Sequence, residues 1–180
     1  MTDDNKLVAD LINPGTQNEA FRQLIVLYQK PLYNIIRNIV LNHDDADDVM
    51  QNTFIKIFRN IENFKGESKL FSWLYRIATN EALTFIKQKS KMHSQTSEEF
   101  IRSETEKLIG DEYFDGDEIQ LKLQKAISLL PEKQQLVFKM KYFEELTYEN
   151  ISEITETSVG ALKASYHHAV KKIEDYINNH

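Results

Sequence analysis

The stretch FKGESKLFSWLYRIATNE, residues Phe64 to Glu81, decides how the rest of the chain is read. It opens as a polar turn around Gly66 and becomes a helical pattern. Leu74, Tyr75, Ala78, Ala82, Phe85 and Ile86 recur at helical spacing from about Leu70 to Lys87. Phe64, Phe71, Trp73 and Tyr75 are interleaved with Lys65, Lys69 and Arg76, and Trp73 is the single tryptophan of the chain. Rings stack on unpaired bases while Lys and Arg hold phosphates, so this composition suits single-stranded nucleic acid. A lone Trp is ordinarily core material. Here Leu74 and Tyr75 already take the inner stripe, which leaves Trp73 at its edge.

The same helical grammar extends in both directions. Upstream, Ala46, Val49, Met50, Thr53, Phe54, Ile57, Phe58 and Ile61 form one stripe behind the turn Asn42-His43-Asp44-Asp45. Before it, Leu24, Leu27, Tyr28, Leu32, Ile35, Ile36, Ile39 and Val40 follow a capping-box pattern at Thr16 and Glu19, and Pro31 starts or kinks a helix. Downstream, Ile119, Leu123, Ile127 and Leu130 make a stripe. Pro131 opens a helix burying Leu136, Val137, Met140 and Phe143. Thr147 to Ile154 is a short helix. Ser158 caps a longer one with Val159, Leu162, Tyr166, Ala169, Val170, Ile173 and Ile177 inward. Short helix, turn, longer helix is the helix-turn-helix order. Gly and Pro are scarce, at five and three residues, which favours helices over turn-rich sheets. The expected fold is all-α.

Charge divides the chain. Residues 20–91 hold 11 basic and 7 acidic residues, whereas residues 92–118 hold two basic and nine acidic. The overall net charge of -6 conceals both blocks. The simplest account of each is a solvated surface. The acidic strip is poor in large apolar residues, with short patches at Leu108-Ile109 and Tyr113-Phe114 suited to docking. It is therefore expected as a flexible linker between an N-terminal domain, 1–91, and a C-terminal domain, 119–180.

Several function classes are excluded or left without support. With no Cys there is no disulfide and no thiolate zinc site, which fits a reducing cytoplasm. The N-terminus, MTDDNKLVAD, has no apolar signal region, and no run is long enough to span a membrane. No P-loop, glycine-rich nucleotide fingerprint or Ser-His-Asp order is present. His167 and His168 are adjacent, so on a helix they point about 100° apart and share no metal. No catalytic residue, metal or cofactor is expected, and the chain is not read as an enzyme.

The pattern of residues 64–81 closely resembles the promoter-melting segment of bacterial RNA polymerase sigma factors of the extracytoplasmic-function (ECF) class. The segment LTYENISEITETSVGALKASYHHAVKKI resembles their promoter-binding helix-turn-helix, and the preceding LPEKQQLVF resembles the start of that domain. The helix DADDVMQNTFIKIF resembles the segment that docks on the polymerase clamp. Together the likeness covers most of residues 20–91 and 119–177, with its motifs in the family order.

The resemblance implies partners and roles. Core RNA polymerase would meet Asp47, Asp48, Gln51, Asn52 and Ile55. The minus-10 element would be bound and melted by Phe64, Lys65, Ser68, Lys69, Trp73, Arg76, Asn80 and Lys87. The minus-35 element would meet Ser158, Gly160, Lys163, Ser165, His167, His168 and Lys171. An anti-sigma factor is a further candidate partner. The chain departs from the family pattern in three places, at six residues. Glu156-Thr157 stands where a Gly is usual, Asn52 where an acid is common, and Ala164, His167 and Val170 where Arg is frequent. The simplest alternatives are carboxylates stabilising a helix N-terminus for Asp44, Asp45, Asp47 and Asp48, and a packing helix-turn-helix. A free-standing helix-turn-helix regulator is the rival function, but it needs neither the aromatic-cationic stretch nor the clamp-like helix.

Overall fold

The computed structural model describes residues 3–112, 114 and 116–180. Those residues contain nine α-helices and no strand. The N-terminal region comprises α1 (Asp3–Ile12), α2 (Gln17–Val40), α3 (His43–Asn60) and α4 (Leu70–Met92). Helices α2, α3 and α4 pack on one another, and α1 lies along α2. Next comes α5 (Ser97–Lys107). The C-terminal region is α6 (Glu118–Ser128), α7 (Glu132–Tyr142), α8 (Tyr148–Thr155) and α9 (Val159–Asn179).

The stripes explain the packing. In α3 the residues Ala46, Val49, Met50, Thr53 and Ile57 are buried. The side chain of Asn42 caps this helix by accepting from the Asp45 backbone N–H at 3.0 Å. In α2, Leu24, Leu32, Ile35, Ile36, Ile39 and Val40 are buried, and the helix continues through Pro31. Thr16 stands at its N-cap, but the expected capping box is not formed. The hydroxyl instead donates to the Asp10 carbonyl at 2.8 Å. Leu27, expected inward, is exposed, and so is Ile119.

The structure differs from an unstructured acidic strip over residues 97–107. Helix α5 is closed by a reciprocal capping box between Thr96 and Glu99, and it buries Phe100, Ile101, Glu104 and Thr105. Such a cap contributes about 1 kcal/mol. Its apolar pair seats α5 between α4 and α6. Nine acids therefore do not imply disorder, because only a narrow stripe had to be apolar. Leu108 is buried at the end of α5, whereas Ile109 is exposed. Phe114 packs half-buried against the larger core. Tyr113, expected beside it as a docking residue, lies outside the described residues.

Helix α7 serves two cores. Val137 and Met140 belong to the large core that includes the N-terminal region, while Phe138 belongs to a small one with Ala126, Ile127, Leu130, Ala169 and Ile173. Lys139 is also buried, and its ammonium makes no hydrogen bond or ion pair among the described residues. It lines a cavity of about 40 Å³ with Ile39, Leu83, Ile86, Ile101 and Leu136. Burial pushes its ammonium down to about 8.

Candidate nucleic-acid interface

The loop between α3 and α4 begins with a tight turn at Ile61–Asn63 and reverses at Gly66, whose φ of 72° suits glycine. Phe64 then returns over the first turn of α4. Its ring lies 5.4 Å from Trp73, tilted by 58°. Both rings are half-buried, and so is Ser68. Lys65, Lys69, Asn80 and Lys87 are exposed. The expected aromatic and cationic residues thus share one end and one flank of α4.

Arg76 is placed differently from a free phosphate-binding cation. Its guanidinium donates to the Glu156 carboxylate at 2.9 Å and to the backbone carbonyl of Glu153. Ser72, one turn earlier, donates to the Glu153 carboxylate at 2.6 Å. Helix α8 therefore lies against the middle of α4. Lys89, further along α4, pairs with the largely buried Asp45 at 3.0 Å. Asp45 is thus fixed by a tertiary contact besides lying at the start of α3. The junction is extended by Asn38, which donates to Glu144 at 2.7 Å. Burial raises the Glu144 carboxyl above its ordinary value, and the Asn38 hydrogen bond partly offsets this. Burial also raises the Tyr75 phenol, with the nearby Glu144 charge adding to the effect.

On α3, Asp47, Asp48, Gln51, Asn52 and Ile55 are all exposed along one face. Sequence reasoning missed an adjoining feature. Phe21 packs edge-on to Phe58 at 5.0 Å and to Phe54 at 6.1 Å. These rings, Ile55 and Arg59 line a shallow apolar depression. Phe58 was expected inside but is partly exposed. A mixed face with an apolar centre is the composition of a protein interface.

The C-terminal helix-turn-helix is formed by α8 and α9. Thr147 caps α8 by accepting from Asn150, and Ser158 caps α9 by accepting from Ala161. Leu162, Ala169 and Ile173 face inward. Ser158, Gly160, Lys163, His167, His168 and Lys171 are exposed, and Ser165 is half-buried beside them. These side chains form a continuous outer face suited to a DNA groove. Among the described residues no group of three or more His, Cys, Asp or Glu has metal-binding geometry. Among the described residues no helix is long and apolar enough to cross a membrane.

Known proteins place this architecture. The family model for Sigma-70 region 2 matches residues 24–92, and that for Sigma-70 region 4 matches residues 120–173. The ECF RNA polymerase sigma-E factor of Haemophilus influenzae is 30% identical over 169 residues, spanning 88% of each chain. The structure of CnrH in complex with the cytosolic domain of CnrY superposes with a TM-score of 0.71 at 17% identity, covering 98% of this chain and 97% of that one. The sigma factor RpoE of Bartonella quintana, in complex with the anti-sigma factor NepR, superposes with a TM-score of 0.64 at 20% identity, covering 88% and 96%. At these identities the two structures share the fold. With both regions matched in order and a relative spanning most of its length, the chain belongs to the sigma-70 family, as an RNA polymerase sigma factor of the ECF class.

Proposed function

We propose a division of labour among three surfaces of this sigma factor, which directs transcription initiation by RNA polymerase. The exposed face of α3 binds core polymerase through Gln51, Asn52 and Ile55, with Asp47 and Asp48 at its edge. The Phe64–Ser68 loop and α4 capture the melted minus-10 strand. A flipped base stacks in the loop, while Lys65, Lys69, Asn80 and Lys87 hold the backbone. The outer face of α9 reads the minus-35 element. Residues 1–91 and 119–180 act as separate DNA-reading domains, with 92–118 between them. The chain performs no catalysis and needs no cofactor, because the polymerase makes the phosphodiester bonds. It works in the cytoplasm, and a protein inhibitor of the anti-sigma type binds it, as CnrY and NepR bind the chains of similar fold.

The observation carrying this reading is the Phe64–Trp73 pair set beside exposed Lys65 and Lys69 at the start of α4. Reconstitution with core polymerase, followed by sequencing of transcript starts on genomic DNA, tests it. Starts sharing two spaced elements are expected. Polymerase that gains no new start sites from the chain would overturn it.

A further inference from the structure

The ammonium of Lys139 on α7 is a buried charge without an opposite. The residue is 3% exposed, and the ammonium has no hydrogen-bond or ion-pair partner among the described residues. Buried charges are ordinarily paired, because an uncompensated one is costly. None of the three surfaces assigned above uses this group.

Lys139 lines a cavity of about 40 Å³. A water molecule needs about 10–15 Å³ of such space, so a molecule of a few heavy atoms fits. The walls are apolar: Ile39 of α2, Leu83 and Ile86 of α4, Ile101 of α5 and Leu136 of α7. Gln135 also lines the cavity, but its amide already donates to the carbonyls of Leu130 at 2.8 Å and Ser128 at 3.4 Å. Two helix starts reach the same space. Ser97 and Glu98 begin α5, and Glu132 begins α7, whose N-cap Pro131 supplies no side-chain cap. Their partial positive charge adds to that of the ammonium. Glu98 and Glu132 are exposed, and neither pairs with Lys139.

This chemistry selects a ligand class. Water would leave the charge uncompensated and would find few partners on the apolar walls. Phosphate or sulfate would press polar oxygens against those walls on every side. A carboxylate on a one-carbon tail meets both demands: its oxygens accept from the ammonium, and its methyl group takes the place of water against Ile101 and Leu136. We propose that the Lys139 cavity is a binding site for a small monocarboxylate of acetate size. The ligand turns an unpaired buried charge into an ion pair and stabilises the packing of α2, α4, α5 and α7 around it. So small a ligand binds at about millimolar concentration, and the site fills only where such acids are abundant.

Calorimetric titration of the full chain with sodium acetate tests this, with ionic strength held constant by sodium chloride. Saturable binding with a dissociation constant of about 1 mM is expected, together with a higher denaturant midpoint. Acetamide, which has the shape without the charge, is expected to do neither. Binding needs the ammonium, so affinity should fall about tenfold per pH unit above about 8, with a proton taken up from the buffer. The other titratable side chains lining the cavity are Glu98 and Glu132, and α2 and α4 present only apolar groups there. Lys139→Met is expected to abolish binding. Glu98→Gln with Glu132→Gln is expected to tighten it about threefold by removing like charge. Absence of saturable acetate binding, equal binding by Lys139→Met, or an equal effect of added chloride overturns the site. Binding confined to the Glu98→Gln, Glu132→Gln protein also overturns it, because a carboxylate of the chain would then already hold the ammonium.

Discussion

The rings of Phe64 and Trp73 lie 5.4 Å apart at 58°, so the loop before α4 and the first turn of that helix form one aromatic unit. Neither ring is fully buried. Stacking on a base contributes roughly 1–3 kcal/mol. Replacing both with Ala is expected to slow promoter opening about tenfold or more. Permanganate footprinting should lose reactive thymines, and a pre-melted promoter should restore activity. A defect of the same size on pre-melted DNA would assign the pair to docking instead.

The α3 face predicts a separable binding defect. Gln51→Lys with Ile55→Asp changes exposed positions, so helicity and melting temperature should stay close to those of the unaltered chain. Affinity for core polymerase is expected to fall about tenfold, because an apolar contact and its polar neighbour are lost together. Titration of labelled core measures it, and an unchanged dissociation constant counts against this face. Phe58→Ala, at the rim of the same depression, extends the test to a residue that its helical stripe assigned to the interior.

On α9 the outer face separates reading from holding. Ser165→Ala and His168→Ala should reorder preferences in a library of minus-35 variants. Lys171→Ala should weaken every sequence alike and lower the salt slope by about one. Identical rankings from all three proteins would remove base readout from Ser165 and His168.

Lys139 predicts an unusual response to pH. Below about 8 the ammonium is charged in both folded and unfolded chains, and burial opposes folding. Between about 8 and the ordinary 10.5 the unfolded chain binds one more proton than the folded chain, so stability rises with pH. Lys139→Met should stabilise the protein at pH 7 by on the order of 1–3 kcal/mol and abolish the rise. Denaturant midpoints from pH 7 to about 9.5 measure this; above that range the buried Tyr75 phenol reverses the slope, because the unfolded chain ionises first. A midpoint in Lys139→Met that climbs in parallel with the unaltered chain would show that another group titrates.

Helix α5 is part of the fold, so Phe100→Ala should destabilise it. The side chain is almost wholly buried against the larger core. Removing it is expected to cost about 3–5 kcal/mol. An indifferent melting temperature would mean that residues 97–107 are a tether in solution.

Legibility in the sequence followed the number of faces a helix buries. Helices α3 and α9 each bury one face, and their stripes and caps were readable from spacing. Helix α7 buries Gln135, Val137, Phe138, Lys139 and Met140 around most of its circumference, so the single expected stripe caught Val137 and Met140 but missed Phe138 and Lys139. Periodicity also names a face without fixing its width, which is why Leu27 and Phe58 were misplaced. The signal for α5 was present in Thr96 and Glu99, three residues apart, but the surrounding acids masked it. The expected DNA-binding residues were legible as types and spacings. Their intramolecular partners were not: Arg76 and Glu156 are 80 positions apart, and no local pattern links them.

The double membership of α7 has a consequence for the chain away from polymerase. If the two regions part, Phe138 stays with its own small core, but Val137 and Met140 lose part of their cover and face water. An apolar ridge bared in this way is adhesive. Separation outside the polymerase would therefore carry a hazard of self-association, and the safest place for the chain to unfold its two halves is on the enzyme that shelters them.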